Sequence, residues 1–192
     1  VSADPWYRWS VPANVLRVGT AGLRLTLRQC RPEDVAVLER HFPTGRNRYH
    51  EARYQRQRAG SSTFLIACLD AVPVGSGEVM WQGAKDPDVR DRFPGCPEIN
   101  GLAVLAERRS QGVGSAIIRA AEHLAARRGR HRIGMGVEEQ NVRAARLYLR
   151  LGYRDTGCRY LDRYQYVDDH DVRHEIADAC RFLVKTISAL PG

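Results

Sequence analysis

Apolar and polar residues alternate through LRLTLRQ, residues 23–29, which predicts a β-strand. RPEDVAVLERHF then shifts to helical spacing, with a proline and two acids in its first turn. GRNRYHEARYQRQRAG, 45–60, reads as a very basic helix or loop. TFLIACLDAVPVGSGEVMWQG predicts two strands joined by a turn near Asp70–Pro73. AKDPDVRDRFPGCP, 84–97, is a loop by its proline, glycine and aspartate content. EINGLAVLA, 98–106, and HRIGMGV, 131–137, predict strands on either side of a long helix. NVRAARLYLRLG, 141–152, predicts a helix that stops at glycine. YRDTGC reads as a strand, RYQYVDDHDVRHEI as a hairpin with an acidic turn, and CRFLVKTI as a closing strand. Strands and helices alternate through the second half, so the expected class is α/β, a mixed sheet with helices packed on it. Residues 1–22 read as an arm carrying Trp6, Tyr7 and Trp9, and 23–192 as one domain.

The long helix poses a problem. RRSQGVGSAIIRAAEHLAARRG, 108–129, places Gly112 and Gly114 where the helix begins. Glycine inside a helix costs roughly 1 kcal/mol against alanine. A Walker loop would need a lysine here, and a dinucleotide fingerprint would need glycine where Ile117 stands. A third use remains. The first-turn amides of a helix lack intrahelical partners, and glycines let an anion approach them closely. Arg108 and Arg109 add charge, although a plain glycine-rich cap would look similar. Val113, Ala116, Ile117, Ala120 and Leu124 share one face, while Arg119, His123 and Arg127 fall largely off it and read as solvated.

Composition narrows the classes. Hydrophobic residues make up 43% of 192, which fits a globular domain with a real core. No apolar run approaches the roughly 20 residues of a membrane span. VSADPWYRWSVPANV is not expected to be a signal peptide. Five cysteines at long spacings suggest buried thiols in a reducing, cytoplasmic compartment, and no metal site is expected. The net charge is +8, with only Lys85 and Lys185 as lysines, so the basic surface reflects arginine. Such a surface suits a phosphate-rich small molecule as well as nucleic acid.

Two segments together carry a family resemblance. Arg109-Ser110-Gln111-Gly112-Val113-Gly114 resembles the [QR]-x-x-G-x-[GA] acetyl-CoA motif of the GCN5-related N-acetyltransferases (GNAT). NVRAARLYLRLGY is similar to the family's second signature, N-x-x-A-x-x-L-Y-x-x-x-G-[FY], one helix and one strand later. The resemblance implies a mixed, mostly antiparallel sheet splayed between strands 4 and 5 and flanked by helices. Acetyl-CoA, the implied co-substrate, would enter the split. Backbone of Leu102, Ala103 and Val104 would pair with the pantetheine arm. Gln111, Gly112, Val113, Gly114 and Ser115 would hold the pyrophosphate, with Arg109 beside them. Asn141 would hydrogen-bond the pantetheine, and Tyr148 would sit near the sulfur as the acid for the leaving thiolate.

Amine attack on a thioester needs a neutral amine, so a base is useful. Glu98 lies 14 residues before Gly112, the spacing kept by the histone-acetylating branch of the family. It opens an apolar strand, where burial would raise its pKa. A strand-end surface acid is the alternative, and many family members use a water chain instead. Asn100 shares its face by alternation.

Acids gather in the segments that form acceptor walls in this family. They are Asp86, Asp88, Asp91 and Glu98, then Asp162, Asp168, Asp169, Asp171, Glu175 and Asp178. In a basic protein this points to a small cationic amine, an aminoglycoside-like antibiotic or a polyamine. Asp168, Asp169, Asp171 and Trp81 are the expected acceptor contacts, with Tyr160, Tyr164 and Tyr166 as further stacking walls. Protein lysine or N-terminal acetylation is an alternative. A non-catalytic module that senses acyl-CoA or binds nucleic acid through 45–60 is another, although the retained Asn141 and Tyr148 weigh against it. No membrane partner is expected, and the aromatic arm leaves room for a homodimer.

Overall fold

The alternation at 23–29 marks an inner strand of a single large sheet. The computed structural model describes residues 7–10, 15–20 and 23–188, with side chains from residue 25 onward. Among these residues nine strands pair: β1 (Tyr7–Ser10), β2 (Val15–Thr20), β3 (Leu23–Gln29), β4 (Ser62–Leu69), β5 (Val72–Met80), β6 (Glu98–Val104), β7 (Arg132–Glu138), β8 (Arg154–Val167) and β9 (Arg173–Thr186). Their spatial order is β1-β2-β3-β4-β5-β6-β7-β9-β8, antiparallel throughout except for the pair β6–β7. The seven strands β3 to β9 form the mixed sheet expected from the sequence. The stretch read as an arm supplies β1 and β2, which extend the sheet at its β3 edge. Whatever Trp6 and the side chains of Tyr7 and Trp9 dock on lies outside the described residues.

β4 shows why the sheet holds together. Its residues are buried on both faces, so its sequence is a continuous apolar run. Leu65 and Ala67 face a core that includes Ile117, Ala120 and Leu124 of α4 (Val113–Arg127). Phe64, Ile66 and Cys68 face the other way. They pack with Leu38 of α1 (Pro32–His41) and Tyr54 of α2 (Tyr49–Arg58). The sheet is thus covered on both sides, as expected. No helix among the described residues is long and apolar enough to cross a membrane.

Three local readings change. The segment 84–97 contains a short helix, α3 (Pro87–Arg92), started by Asp86, whose carboxylate accepts from the Val89 amide. The separate strands read after residue 152 are two long ones, β8 and β9. A register shift between Asp155 and Arg159, with Gly157 at φ +75°, interrupts the alternation that would have revealed their length. His123 is half-buried rather than solvated, and burial lowers its pKa.

Two irregularities of β6 position the site. Its parallel pairing with β7 is confined to Glu98 opposite Gly134, where the Gly134 amide donates to the Pro97 carbonyl at 2.8 Å. Beyond that point the strands part, while β7 stays paired with β9 along its whole length. On its other side β6 carries a bulge. Ser76 pairs with Ala103 and Glu78 with Asn100, so Gly101 and Leu102 together oppose Gly77. Gly101 takes φ +59°, a conformation that an L side chain would strain.

Candidate active site

The split between β6 and β7 opens into a cavity of about 300 Å³. β6 lines it with Glu98, Asn100 and Leu102, and β7 with Gly136 and Glu138. α5 (Val142–Arg150) contributes Tyr148, and Asn141 just before it. β8 and β9 close the far side with Tyr160, Asp162, Tyr164 and Asp178. Elements spread from residue 98 to residue 180 therefore meet at one opening. Four carboxyl groups line it, Glu98, Glu138, Asp162 and Asp178, with no arginine, lysine or histidine among the lining residues. This acid wall stands in a chain of net charge +8.

Glu98 is the buried member of the set, at 4% exposure. Its Oε2 accepts from the Lys85 backbone amide at 3.2 Å, and Asn100 Nδ2 reaches it only at 3.5 Å. Burial therefore wins over these partners and pushes the carboxyl up to about 7, with the negative charge of Asp162 adding to the rise. Near neutral pH the group is divided between its two protonation states. Tyr148 is buried too, its ring 6.4 Å from that of Tyr153. Burial raises its pKa, so the phenol keeps its proton.

At the start of α4 the two glycines have separate reasons. Gly112 stands before the first helical residue at φ +84°, which favours glycine. The first ladder bond there runs from the Ala116 amide to the Gly112 carbonyl at 2.9 Å. The amides of Val113, Gly114 and Ser115 consequently have no intrahelical acceptor. Gly114 lies against Leu147, Val104 and Leu102, whose side chains a Cβ there would meet at 3.7–4.0 Å. Side chains tie the turn down from several sides. Arg109 Nε donates to the Val104 carbonyl at 3.2 Å, and Gln111 Nε2 to the Glu107 carbonyl at 2.9 Å. Arg143 of α5 donates to Ser110 Oγ at 2.9 Å. The same turn thus touches the end of β6 and the start of α5. An unspent row of amides, a glycine with positive φ and a strand split fit a long acyl carrier ending in a pyrophosphate.

A family model for the Acetyltransferase (GNAT) family matches residues 22–153. The chain belongs to that family. It is an acetyltransferase, and acetyl-CoA is the family's co-substrate. The fold agrees with solved structures. The yncA protein of Salmonella typhimurium, solved with its cofactor acetyl-CoA, is 16% identical with a TM-score of 0.61, over 88% of this chain and 96% of that one. The ribosomal-protein-S18-alanine N-acetyltransferase of Escherichia coli is 15% identical with a TM-score of 0.58, over 88% and 96%. A ribosomal-protein-alanine N-acetyltransferase of Brucella melitensis is 18% identical with a TM-score of 0.60, over 84% and 99%. No curated protein matches the sequence.

The residues expected to bind the donor and to carry the chemistry fall in two places. Ala103, Val104, Arg109 and Gln111 to Ser115 surround the turn at the head of α4, and Leu102 lies against Gly114 while also lining the cavity. Glu98, Asn100, Asn141 and Tyr148 meet at the cavity. Asn141 spends its side-chain oxygen on the Ala144 amide at 3.1 Å, which leaves its NH₂ as the group able to donate.

The expected acceptor contacts lie elsewhere. Trp81 is buried in the core on the α4 side, its indole N–H donating to Thr63 Oγ1 at 3.1 Å. The Arg128 guanidinium covers its ring at 3.9 Å. Asp168, Asp169 and Asp171 form the turn between β8 and β9, outside the cavity lining. Asp168 accepts from the His170 and Val172 amides and from His174, and Asp171 pairs with Arg46. Asp162 and Asp178, lower on the same hairpin, reach the cavity in their place.

Sequence reasoning missed three features. Glu138 follows β7's apolar run and carried no signal of its own. Gly136 admits the Tyr160 hydroxyl, which takes the place where a Cβ would stand, with Glu98 Oε1 3.7 Å from the same point. The pair of glycines in RIGMGV was the available clue. The third feature is an ion cluster on β5. Glu78 is buried and takes two hydrogen bonds from Arg56, at 2.9 and 2.7 Å. Part of the charge that made residues 45–60 look like a nucleic-acid patch is therefore spent inside the protein.

Proposed function

We propose that the protein moves an acetyl group from acetyl-CoA to a primary amine of a small cationic acceptor, by direct attack within a ternary complex. The observation that carries this reading is Glu98. A carboxyl held near 7 can accept a proton at the pH where it must act, and it does so in a cavity walled by further acids. The ammonium form of the amine is drawn to those acids. Glu98 takes its proton, directly or through one water, and the neutral nitrogen attacks the thioester carbonyl.

The C–N bond forms, and the carbonyl oxygen gains charge that a β6 amide freed by the split from β7 is suited to stabilise by donating a hydrogen bond. The C–S bond then breaks. Tyr148 donates its phenolic proton to the departing thiolate, the acylated nitrogen sheds its second proton through water to restore the phenol, and Glu98 passes the first proton to solvent. No enzyme nucleophile is needed. All five cysteines are buried, and burial raises the thiol pKa of Cys30, Cys68, Cys96 and Cys180.

A panel of polyamines, aminoglycosides, amino acids and peptides with free α-amino groups, each supplied with acetyl-CoA, tests the reading. Thiol release matched by N-acetylated product is expected for small amines, with kcat/KM rising through about pH 7. Preference for peptides would move the acceptor to proteins, as in the ribosomal-protein enzymes. Thiol release with no amine in the panel would contradict the proposal.

A further inference from the structure

The β5 ion cluster is unbalanced. Arg56 occupies both oxygens of Glu78, while the second arginine, Arg53, approaches Glu78 only at 3.8 Å through Nε. Arg53 makes no hydrogen bond within 3.5 Å among the described residues, although its side chain is only 18% exposed. Two guanidiniums and one carboxylate leave one positive charge over. Taking a charge out of water is costly unless it is paired and hydrogen-bonded. Burial accordingly lowers the pKa of Arg53, against the pull of Glu78.

The position of Arg53 follows from the register. Phe64 pairs with Glu78 and Glu78 with Asn100, so these three form one row across β4, β5 and β6 on the face covered by α2. Arg53 lies over this row. Its guanidinium is 5.8 Å from the Phe64 ring, and its Nη2 takes the place where a Gly101 Cβ would stand. Gly101 lines the cavity, beside Asn100 and three residues from Glu98. An under-bonded guanidinium thus lies just behind the lining, against Gly101 on the strand that carries the buried carboxyl. A planar fork of donors matches a carboxylate, which can accept two of its N–H groups at once.

We propose that Arg53 binds a carboxylate of the acceptor, so that the acceptor is an amino-acid-like molecule whose amine enters the acid-lined cavity while its carboxylate lies against Arg53 at Gly101. The inference rests on the acceptor reading above and narrows it. The acids and Arg53 together fix the direction of the acceptor: ammonium toward Glu98, anion toward α2. Glu78 and Arg56 hold Arg53 in place from behind.

Matched pairs test this on the intact protein. Phenylalanine is compared with phenylethylamine, and lysine with 1,5-diaminopentane, in wild type and in R53Q and R53K. Glu78 keeps its two bonds from Arg56 in both variants, which favours retention of the fold. The expected result is that R53Q lowers kcat/KM for the amino acid at least tenfold more than for its matched amine, mainly through KM. R53K should recover part of that loss, because it restores charge without the fork. Comparing variant with wild type on each substrate cancels the differing amine pKa values. Equal losses on both members of a pair would overturn the inference and assign Arg53 a structural role. Wild-type turnover of the amines but not of the amino acids would also overturn it, leaving the small-amine reading intact. Turnover of neither would overturn both.

Discussion

The turn at the head of α4 draws its residues from one short stretch, Val104 to Ser115, with Arg143 added from α5. The acid wall draws Glu98 from β6, Glu138 from β7, Asp162 from β8 and Asp178 from β9. The first is local: a strand end, a glycine with positive φ and a helix start, all set by neighbouring residues. The second exists only because a long hairpin folds back across the split. Local chemistry suits a donor common to a whole family, since a short segment can carry it unchanged between proteins. Chemistry assembled from distant elements can vary with each strand, and so it suits the acceptor.

Several variants would break or sharpen that contrast. The largest expected effect belongs to Tyr148, which lines the cavity from α5, the helix whose Arg143 ties down the turn. Tyr148→Phe should lower kcat by about 10²–10⁴, the usual loss for a general acid. Acetyl-CoA affinity by calorimetry should be retained. Wild-type kcat in this variant would make Tyr148 a packing residue only.

Next comes the energetic cost of Glu98. Its pKa is raised from 4.5 to about 7 in the folded state, so the native protein holds this proton over a pH range where the unfolded chain has released it. Stability should therefore fall as pH rises across that window. The rise corresponds to roughly 3 kcal/mol, at about 1.4 kcal/mol per pH unit. Glu98→Gln removes the titration. The stability difference between variant and wild type, from denaturant unfolding, should shift in the variant's favour by up to this amount between about pH 4 and pH 8. A difference that does not change with pH would show that Glu98 titrates normally.

A smaller effect tests the local region. A Cβ at Gly114 would meet Leu147 and Val104 side chains at 3.7 Å, an ordinary contact. Gly114→Ala should therefore fold normally. Gly114→Asp adds a carboxylate at the free amides and should weaken acetyl-CoA binding more than tenfold. Equal affinities of the two variants would separate this turn from the donor's phosphates.

The smallest effects compare two sets of acids on one hairpin. Asp162 and Asp178 line the cavity, although Lys85 pairs with Asp162 at 3.1 Å and Tyr164 donates to Asp178 at 3.0 Å. Replacing both with Asn should raise KM for a cationic acceptor by about three- to tenfold, less at high salt, because part-exposed pairs contribute up to about 1 kcal/mol each. Replacing Asp168, Asp169 and Asp171 should change KM less than about twofold, since no direct contact is lost. The reverse order would place the acceptor at the turn.

The same contrast explains what could be read beforehand. Strand β3, helix α4 and the turn between β6 and α4 follow from periodicity and glycine placement, which act over a few residues. Glu98 was legible through its spacing to Gly112 and its place at the head of an apolar strand. Which acids of the hairpin line the cavity was not. An acid in the turn at Asp168–Asp171 and an acid at Asp162 look alike in sequence, and only the register of β8 on β9 separates them. Trp81 looked like a stacking surface because aromatic side chains serve both cores and ligands. Arg53 looked like one charge in a basic helix. Its isolation depends on Glu78 being taken by Arg56, a pairing across 22 residues.

The account turns on Glu98 as the base, and the pH dependence of kcat/KM in wild type and Glu98→Gln tests it most directly. With a small amine as acceptor, the wild type should gain activity through an inflection near pH 7, where the carboxyl loses its proton. The variant should be slower by about 10²–10⁴ and should lack that inflection, rising only with ionisation of the amine itself. Superimposable profiles for the two proteins would contradict the assignment and leave proton removal to water.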